Sequence, residues 1–160
     1  MDTDEDLYHA TPQTKGKIAH SYIDNKSSTK KNEICSLSIL SNELGLYGKI
    51  DIYKKEEKKL IERKFQLKNI YRGQIYQLWA QYFCLIEMGY EVDEIAFYEI
   101  STNKTINIPL PTQIDKQELI NFIKLFKEFN PAQEIRTNRQ KCLHCIYCNL
   151  CDKTEENNVY

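Results

Sequence analysis

The sequence has no long hydrophobic run, and this absence limits where the protein can act. Its longest apolar stretch, around Tyr82 to Tyr90, is interrupted by Glu87. It is far shorter than the roughly 20 residues that cross a bilayer. The first residues, MDTDEDLYHATPQTK, are acidic and polar and lack the apolar core of a secretory signal. We therefore expect a cytoplasmic protein with no membrane partner, whose six cysteines are reduced or bound to metal.

The sequence also lacks an excess of positive charge. Its formal net charge of -1 gives no overall attraction to nucleic acid. Lysines and arginines are concentrated at 54–72 and 136–141, whereas residues 2–6 are acidic. Such clusters are compatible with phosphate contacts and equally with an ordinary solvated surface, so composition leaves both interpretations open.

Internal repeats and low-complexity segments are absent as well. The chain has 160 residues, of which 41% are hydrophobic, and this is enough for one compact core. We expect a single domain over residues 1–160, with its core at 14–130, a cysteine-rich segment at 136–151 and a tail at 152–160.

Hydrophobic periodicity predicts both helices and strands. Helices are predicted at 14–25, at 75–86 before Gly89, and from a capping box of Asp115 and Glu118 as far as Phe129. Strands are predicted at 34–40, 44–53, 59–65, 94–101 and 105–110. The order of helices and strands, followed by a cysteine-rich tail, indicates an α/β protein.

Two acidic residues interrupt the apolar pattern of the predicted hairpin at 47–65. A turn centred on the two glutamates of KKEEKK places Asp51 directly across from Glu62. Lys64 is two residues beyond Glu62 and therefore shares its face of the strand. The hairpin thus gathers two carboxylates and an ammonium on one face.

Like charges that face each other destabilise a sheet by up to about 1 kcal/mol, unless a cation lies between them. Magnesium or manganese takes oxygen ligands and keeps waters that can attack phosphate. Lys64 could then stabilise charge on the phosphate. The alternative is a common surface strand whose Glu62 and Lys64 simply face water, and these residues alone do not decide between the two.

Two further signals are weak when each is taken alone. His20 lies on the first predicted helix, where a histidine is usually structural but can be a third ligand. Gln74, Gln77 and Gln81 form a polar stripe beside the apolar face of the helix at 75–86. These glutamines are either solvated or in contact with a nucleotide or a metal-bound water.

The stretch KCLHCIYCNLC contains four closely spaced cysteines, which are Cys142, Cys145, Cys148 and Cys151. Disulfides at such short spacing would be strained, so a metal or a cluster is the better interpretation. Paired zinc motifs are separated by about 15 to 20 residues, and this run instead resembles iron–sulfur spacing. Three ligands are expected and the fourth stays open. Cys35 and Cys84 lie in apolar contexts typical of buried thiols.

The order of these motifs resembles the RecB-like nucleases of the PD-(D/E)xK class, and closely the fourth CRISPR-associated protein family, exonucleases that help to prepare new spacers. The resemblance extends from about Gly16 to Cys151. The matching stretches are GKIAH with His20, GKID with Asp51, ERK with Glu62 and Lys64, QLWAQY with Gln77, and the cysteine run.

This resemblance implies a PD-(D/E)xK-like central mixed β-sheet flanked by helices. It implies a manganese or magnesium site of His20, Asp51 and Glu62, with Lys64 as the catalytic lysine and Gln77 at the site. It also implies a 4Fe-4S cluster on the tail cysteines. The implied activity is hydrolysis of phosphodiester bonds at single-stranded DNA ends during spacer acquisition, alongside the CRISPR integrase complex.

The sequence departs from the family in two places. The family's cluster cysteine ahead of the histidine motif has no counterpart before Cys35. Either Cys148 replaces it beside the family's three tail ligands, Cys142, Cys145 and Cys151, or the sequence begins beyond it. The family's tyrosine, four residues after the motif glutamine, is replaced by Gln81.

Two other functions remain possible on these residues. One is a DNA- or integrase-binding module with a degenerate nuclease site. The other is a redox protein, which the cysteines alone suggest but which leaves the arrangement of Asp51, Glu62 and Lys64 unexplained.

Overall fold

The computed structural model of the chain describes residues 32–133, 137–143, 145 and 151. Residues 32–128 belong to one compact unit, and the described residues from 129 onward belong to a second. The predicted helix at 14–25, His20 and Cys148 lie outside the described residues. In the first unit the elements are β1 (Glu33–Cys35), β2 (Ser38–Ser41), β3 (Leu46–Lys49), β4 (Ile52–Lys54), β5 (Lys59–Lys64), α1 (Arg72–Glu87), β6 (Glu94–Glu99), β7 (Lys104–Ile108) and α2 (Gln113–Lys127). In the second unit α3 spans Arg139–Cys142.

A mixed five-stranded sheet forms the centre of the first unit. Its strand order is β1-β4-β5-β6-β7, and β2 with β3 forms a separate two-stranded sheet. Only β5 and β6 are parallel among the paired strands of the described residues, and the other pairs are antiparallel. Parallel neighbours need a long crossover connection, which α1 provides. The expectation of an α/β fold with a mixed sheet flanked by helices is therefore confirmed.

The hairpin of β4 and β5 has the register that the sequence predicts. Ile52 pairs with Ile61 and Lys54 with Lys59, so residues 55–58 form the turn with the two glutamates at its centre. This part of the predicted hairpin is confirmed.

The strands predicted at 34–40 and 44–53 were expected to be continuous, and that prediction is wrong. Each divides between the two sheets, and Ser36 has a left-handed φ of 54° at the first break. Ser36 N–H donates to the Asp51 carbonyl (3.1 Å) and Ile50 N–H to the Leu37 carbonyl (3.0 Å), so the two arms stay joined through the bend. Asp51 consequently lies at a corner between the two sheets.

The core lies where one face of the sheet packs against α1. Leu78 and Leu85 of α1 are fully buried in one cluster with Leu60, Ile95 and Phe97 of the sheet. Burying a side chain of this size contributes about 1.5–3 kcal/mol.

The buried face of α1 differs in part from the predicted apolar stripe. Ile86, which belongs to that stripe, is 42% exposed, whereas its neighbours Cys84 and Leu85 are buried. Hydrophobic spacing therefore predicts the helix correctly but places the centre of its buried face imprecisely.

The predicted capping box of Asp115 and Glu118 is wrong by one turn. Thr112 is the N-cap of α2, its N–H donates to Asp115 Oδ2 (2.8 Å), and the Asp115 N–H donates back to Thr112 Oγ1 (3.3 Å). The threonine hydroxyl can accept this bond from just outside the helix. Glu118 instead accepts hydrogen bonds from Arg72 and Tyr76 and so links α2 to α1.

In residues 32–133 and the short described stretches of the tail, no helix combines the length and the apolar content that crossing a membrane requires.

Candidate functional site

Glu62 is a carboxylate on the core face of the sheet. Alternation along β5 places Leu60 and Glu62 on the face that meets α1, and Glu62 is only 5% exposed. An ionised carboxylate is costly to bury unless donors surround it. The chain thus places a charged group where packing alone would favour an apolar one.

Three side-chain donors surround the Glu62 carboxylate. Oε1 accepts hydrogen bonds from Lys64 Nζ (2.9 Å) and from Gln77 Nε2 (2.7 Å), and Oε2 accepts one from Gln81 Nε2 (2.8 Å). The two glutamines lie one turn apart on α1. The structure therefore brings Glu62, Lys64 and Gln77 together, as the sequence predicts.

Lys64 is held between the sheet and the helix. Its Nζ donates to Glu62 Oε1 and also to Gln77 Oε1, the latter at 2.8 Å. The Lys64 side chain is 23% exposed, whereas that of Glu62 is 7% exposed. The ammonium therefore remains within reach of a molecule that approaches from solvent, while the carboxylate lies beneath it.

Asp51 joins this group from the corner that precedes β4. Asp51 lies one residue before the Ile52–Ile61 pair, which is the last of the β4–β5 ladder, so the same register extended by one step would set it opposite Glu62. Arg63 N–H donates to Asp51 Oδ2 at 2.8 Å, and Arg63 Nε lies 3.8 Å from the same oxygen. The first acidic residue is thereby attached to the strand that carries the second.

Two of the three predicted ligands of a divalent cation lie among the described residues. Carboxylate oxygens from Asp51 and Glu62 are the hard donors that magnesium or manganese prefers. Within the described part of the chain no group of three histidine, cysteine or acidic side chains could hold a metal ion. The predicted third ligand, His20, lies outside that part. The two carboxylates are of the right chemical type for such a cation, and the ligand set stays a prediction.

Gln81 is a residue of this site for which the sequence left two interpretations open, solvation or contact with a nucleotide or a metal-bound water. It is 5% exposed, and its Oε1 is buried with no hydrogen-bond donor among the described residues. An unsatisfied buried acceptor costs about 1–3 kcal/mol. The only signal in the sequence is its spacing of four residues from Gln77, which places both glutamines on one side of α1.

The second unit contains three described cysteines of the predicted cluster. Cys142 ends α3, whose N-cap Asn138 accepts a hydrogen bond from Lys141 N–H. Cys145 N–H donates to the Cys142 carbonyl at 3.0 Å, so these two cysteines lie on one turn. Within the described part of the chain, Cys142 and Cys145 form no disulfide. Thiolates on a short turn are compatible with a cluster, which stays a prediction, and Cys148 lies outside the described residues.

Cys84 behaves as the sequence predicts for a thiol in an apolar context. It is buried in the core, and this burial raises the pKa of the thiol to about 11. A thiol of this kind stays protonated near neutral pH and is poorly suited to bind a metal.

The lysine-rich turn between β4 and β5 is largely ion-paired. Lys59 Nζ lies 2.7 Å from Glu94 Oε2, and Lys58 pairs with Glu91. This turn lies at the opposite end of β5 from Lys64. For this turn, the interpretation as an ordinary solvated surface is therefore favoured over a phosphate-binding patch.

Comparisons with known proteins give information about the fold. No family model matches the sequence, and no curated protein matches it significantly. Seven chains of solved structures match the fold. One is the crystal structure of a protein named SSO0001, with a TM-score of 0.57 and 16% sequence identity, over 90% of this chain and 72% of that one. At this identity the similarity shows a shared fold, and this fold is a mixed sheet flanked by helices.

Proposed function

We propose that this chain is a metal-dependent DNA exonuclease with a PD-(D/E)xK-like fold. The observation that carries the proposal is the buried Glu62, which Lys64 and Gln77 contact directly, while Asp51, at the corner before β4, accepts a hydrogen bond from the N–H of the adjacent Arg63. Buried carboxylates beside an accessible ammonium are typical of sites that bind a cation and a phosphate. The choice of single-stranded DNA ends, in CRISPR spacer acquisition, rests on the resemblance of the motif order to that nuclease family.

In this proposal Asp51 and Glu62 bind manganese or magnesium together with His20. Such a cation lowers the pKa of its water and offsets negative charge on the phosphodiester. The protein's own contribution is to hold the carboxylates still. Gln77 and Gln81 fix both oxygens of Glu62, and the Arg63 N–H fixes one oxygen of Asp51.

Lys64 has a separate role at the phosphate. Its ammonium is a compact positive charge, oriented by Glu62 Oε1 and Gln77 Oε1. Because it is partly exposed, it can approach a phosphate oxygen and stabilise the charge that develops as the bond breaks. Gln77 therefore acts on the reaction through the orientation of Lys64.

The tail belongs to the same proposal. We assign a 4Fe-4S cluster to Cys142, Cys145 and Cys151, with Cys148 as the candidate fourth ligand. Their short spacing and the turn between Cys142 and Cys145 support this assignment. A cytoplasmic location and a contact with the CRISPR integrase complex follow from the resemblance alone.

The proposal is tested by cleavage of end-labelled single-stranded DNA with anaerobically purified protein in manganese. Lys64→Met is compared with Lys59→Met, because both lysines lie on β5 but Lys59 pairs with Glu94 at the far end. We expect Lys64→Met to lose at least about 100-fold in rate, since one group that stabilises transition-state charge contributes on this scale. Lys59→Met should retain the wild-type rate. Equal rates for the two variants would contradict the site.

A second candidate is a DNA- or integrase-binding module with a degenerate site. It is favoured by one observation: both Glu62 oxygens already accept hydrogen bonds from the protein, as they would in a purely structural polar cluster. This candidate predicts that DNA ends bind with unchanged affinity with or without manganese and are not cut.

A further inference from the structure

We propose that Gln81 is a positioning residue of the cation site, with two functions carried by the two ends of its amide. Its Nε2 fixes the carboxylate of Glu62, and its Oε1 accepts a hydrogen bond from a water of the hydrated divalent cation. This inference rests on the proposed function and adds a specific role for Gln81, which the sequence left open between solvation and contact with a nucleotide or a metal-bound water.

The orientation of the Gln81 amide is determined by its neighbours. Nε2 lies 2.8 Å from Glu62 Oε2 and 3.4 Å from the Lys49 carbonyl. An ionised carboxylate and a carbonyl are both acceptors only, so the amide nitrogen must face them. Rotating the amide by half a turn would oppose oxygen to oxygen, which rules out the alternative assignment of its two ends.

The fixed orientation turns the amide oxygen away from both of these acceptors. Only 5% of Gln81 is exposed, and its Oε1 has no hydrogen-bond donor within the described part of the chain. Buried acceptors are normally satisfied by a donor group or an ordered water. Amide oxygens are also among the hard oxygen groups found around magnesium and calcium. A hydrated cation beside Glu62 would provide the missing donor.

Gln77 does not share this property, although it contacts the same carboxylate. Both ends of its amide are occupied, because Nε2 donates to Glu62 and Oε1 accepts from Lys64. It is also exposed. The two glutamines therefore have different roles. Gln77 orients the Lys64 ammonium, and Gln81 faces the buried side of the Glu62 carboxylate.

Gln81 also connects β5, which carries Glu62, with the end of β3, two residues before Asp51. Its Nε2 reaches the carbonyl of Lys49, at the end of β3, as well as Glu62 on β5. Lys49 precedes Asp51 by two residues, so this bridge spans the corner on which Asp51 lies. Loss of the bridge should alter the separation of the two carboxylates and hence the affinity for a cation that binds both.

The test measures binding of Mn²⁺ alone to the full chain by calorimetry. Gln81→Met keeps the length of the side chain and removes both ends of the amide. Gln117→Met, on the exposed side of α2, is the matched control. We expect Gln81→Met to bind Mn²⁺ about 10- to 100-fold more weakly, as is typical when a group that supports a metal ligand is lost. The control should bind as the wild type does.

A second variant keeps the test decisive if Gln81→Met folds poorly. Gln81→Glu places a carboxylate against Glu62, so we expect a lower unfolding temperature without metal and a larger rise with Mn²⁺ than in the wild type. A rise no larger than in the wild type would overturn the inference. So would wild-type affinity in a folded Gln81→Met protein, while leaving the nuclease proposal intact. Failure of the wild type itself to bind Mn²⁺ would overturn both.

Discussion

The main-chain N–H of Arg63 donates to the Asp51 carboxylate at 2.8 Å. The Asp51 side chain, just before β4, therefore takes the place of a backbone carbonyl as the acceptor for β5. Pairing of β4 with β5 extends only from Lys54–Lys59 to Ile52–Ile61. Beyond that pair Asp51 itself continues the connection. The acidic residue at the corner is therefore held in place by the strand on which Glu62 and Lys64 lie.

Substitution of Asp51 should separate its structural role from its metal-binding role. Asp51→Asn keeps an oxygen that can accept from Arg63 N–H, so stability should change little, but loss of the charge should weaken Mn²⁺ binding at least about 10-fold. Asp51→Ala also removes the acceptor and should lower the free energy of unfolding by about 1–3 kcal/mol. Urea denaturation and calorimetry measure the two effects. Tight Mn²⁺ binding by Asp51→Asn would show that this carboxylate is not a ligand.

The burial pattern of α1 makes a prediction about the core. Leu78 is fully buried and Ile86 is 42% exposed on the same helix. Leu78→Ala should lower the free energy of unfolding by about 2–5 kcal/mol, because it leaves a cavity in a packed core. Ile86→Ala should lower it by well under half as much. Comparable losses in urea denaturation would mean that α1 packs with a different face.

The contacts of Glu99 with the segment that follows Lys64 lead to a prediction of how the stability of the protein depends on pH. It is buried on β6, where Oε1 accepts from Leu67 N–H and Oε2 from Thr102 Oγ1, both at 2.7 Å. The Leu67 bond first, and then the Thr102 bond, lower the pKa of the Glu99 carboxyl.

Because the folded-state pKa of Glu99 lies below the unfolded value of about 4.3, its contribution is complete above that pH and is lost as the pH falls through the folded pKa. Glu99→Gln should therefore unfold at a lower temperature than the wild type near neutral pH. The gap should close as the pH falls below about 4. Thermal melts between pH 7 and pH 3 measure it. A gap that is constant over this range would show that the carboxylate charge is not involved.

The proposed cluster on the tail cysteines leads to a prediction about the iron content and the colour of the purified protein. Cys142→Ser and Cys145→Ser should each lose iron and the visible absorption of a cluster, because a hydroxyl replaces a thiolate ligand. Cys35→Ser is the control, since Cys35 lies on β1 in the other unit. Iron analysis and absorption spectra of anaerobically purified proteins measure the effect. Full iron content in the Cys142 variant would remove that residue from the ligand set.

The central hairpin could be predicted because local sequence determines it. Alternating apolar residues and a charged turn fix the register from Ile52–Ile61 to Lys54–Lys59, and Asp51 then lies one residue beyond the last pair. The helix α1 could be predicted equally well, because its apolar residues recur at helical spacing and Gly89, with a φ of 86°, follows its end.

Other features depend on contacts between distant residues and could not be predicted. The bend at Ser36 needs a left-handed backbone that serine rarely adopts, and nothing near it in the sequence signals this. Gln81 replaces the tyrosine of the family pattern, and its partners Glu62 and Lys49 lie 19 and 32 residues away along the chain, so the sequence does not show what it contacts. Spacing along a helix shows which residues share a side and does not show what that side meets.

The most direct test of the site is anomalous diffraction at the manganese edge from crystals grown with Mn²⁺. The account predicts a manganese peak in direct coordination with carboxylate oxygens of both Asp51 and Glu62, with Gln81 Oε1 within hydrogen-bonding reach of its waters. A structure with Mn²⁺ bound elsewhere, or with no manganese between these two carboxylates at saturating concentration, would contradict it.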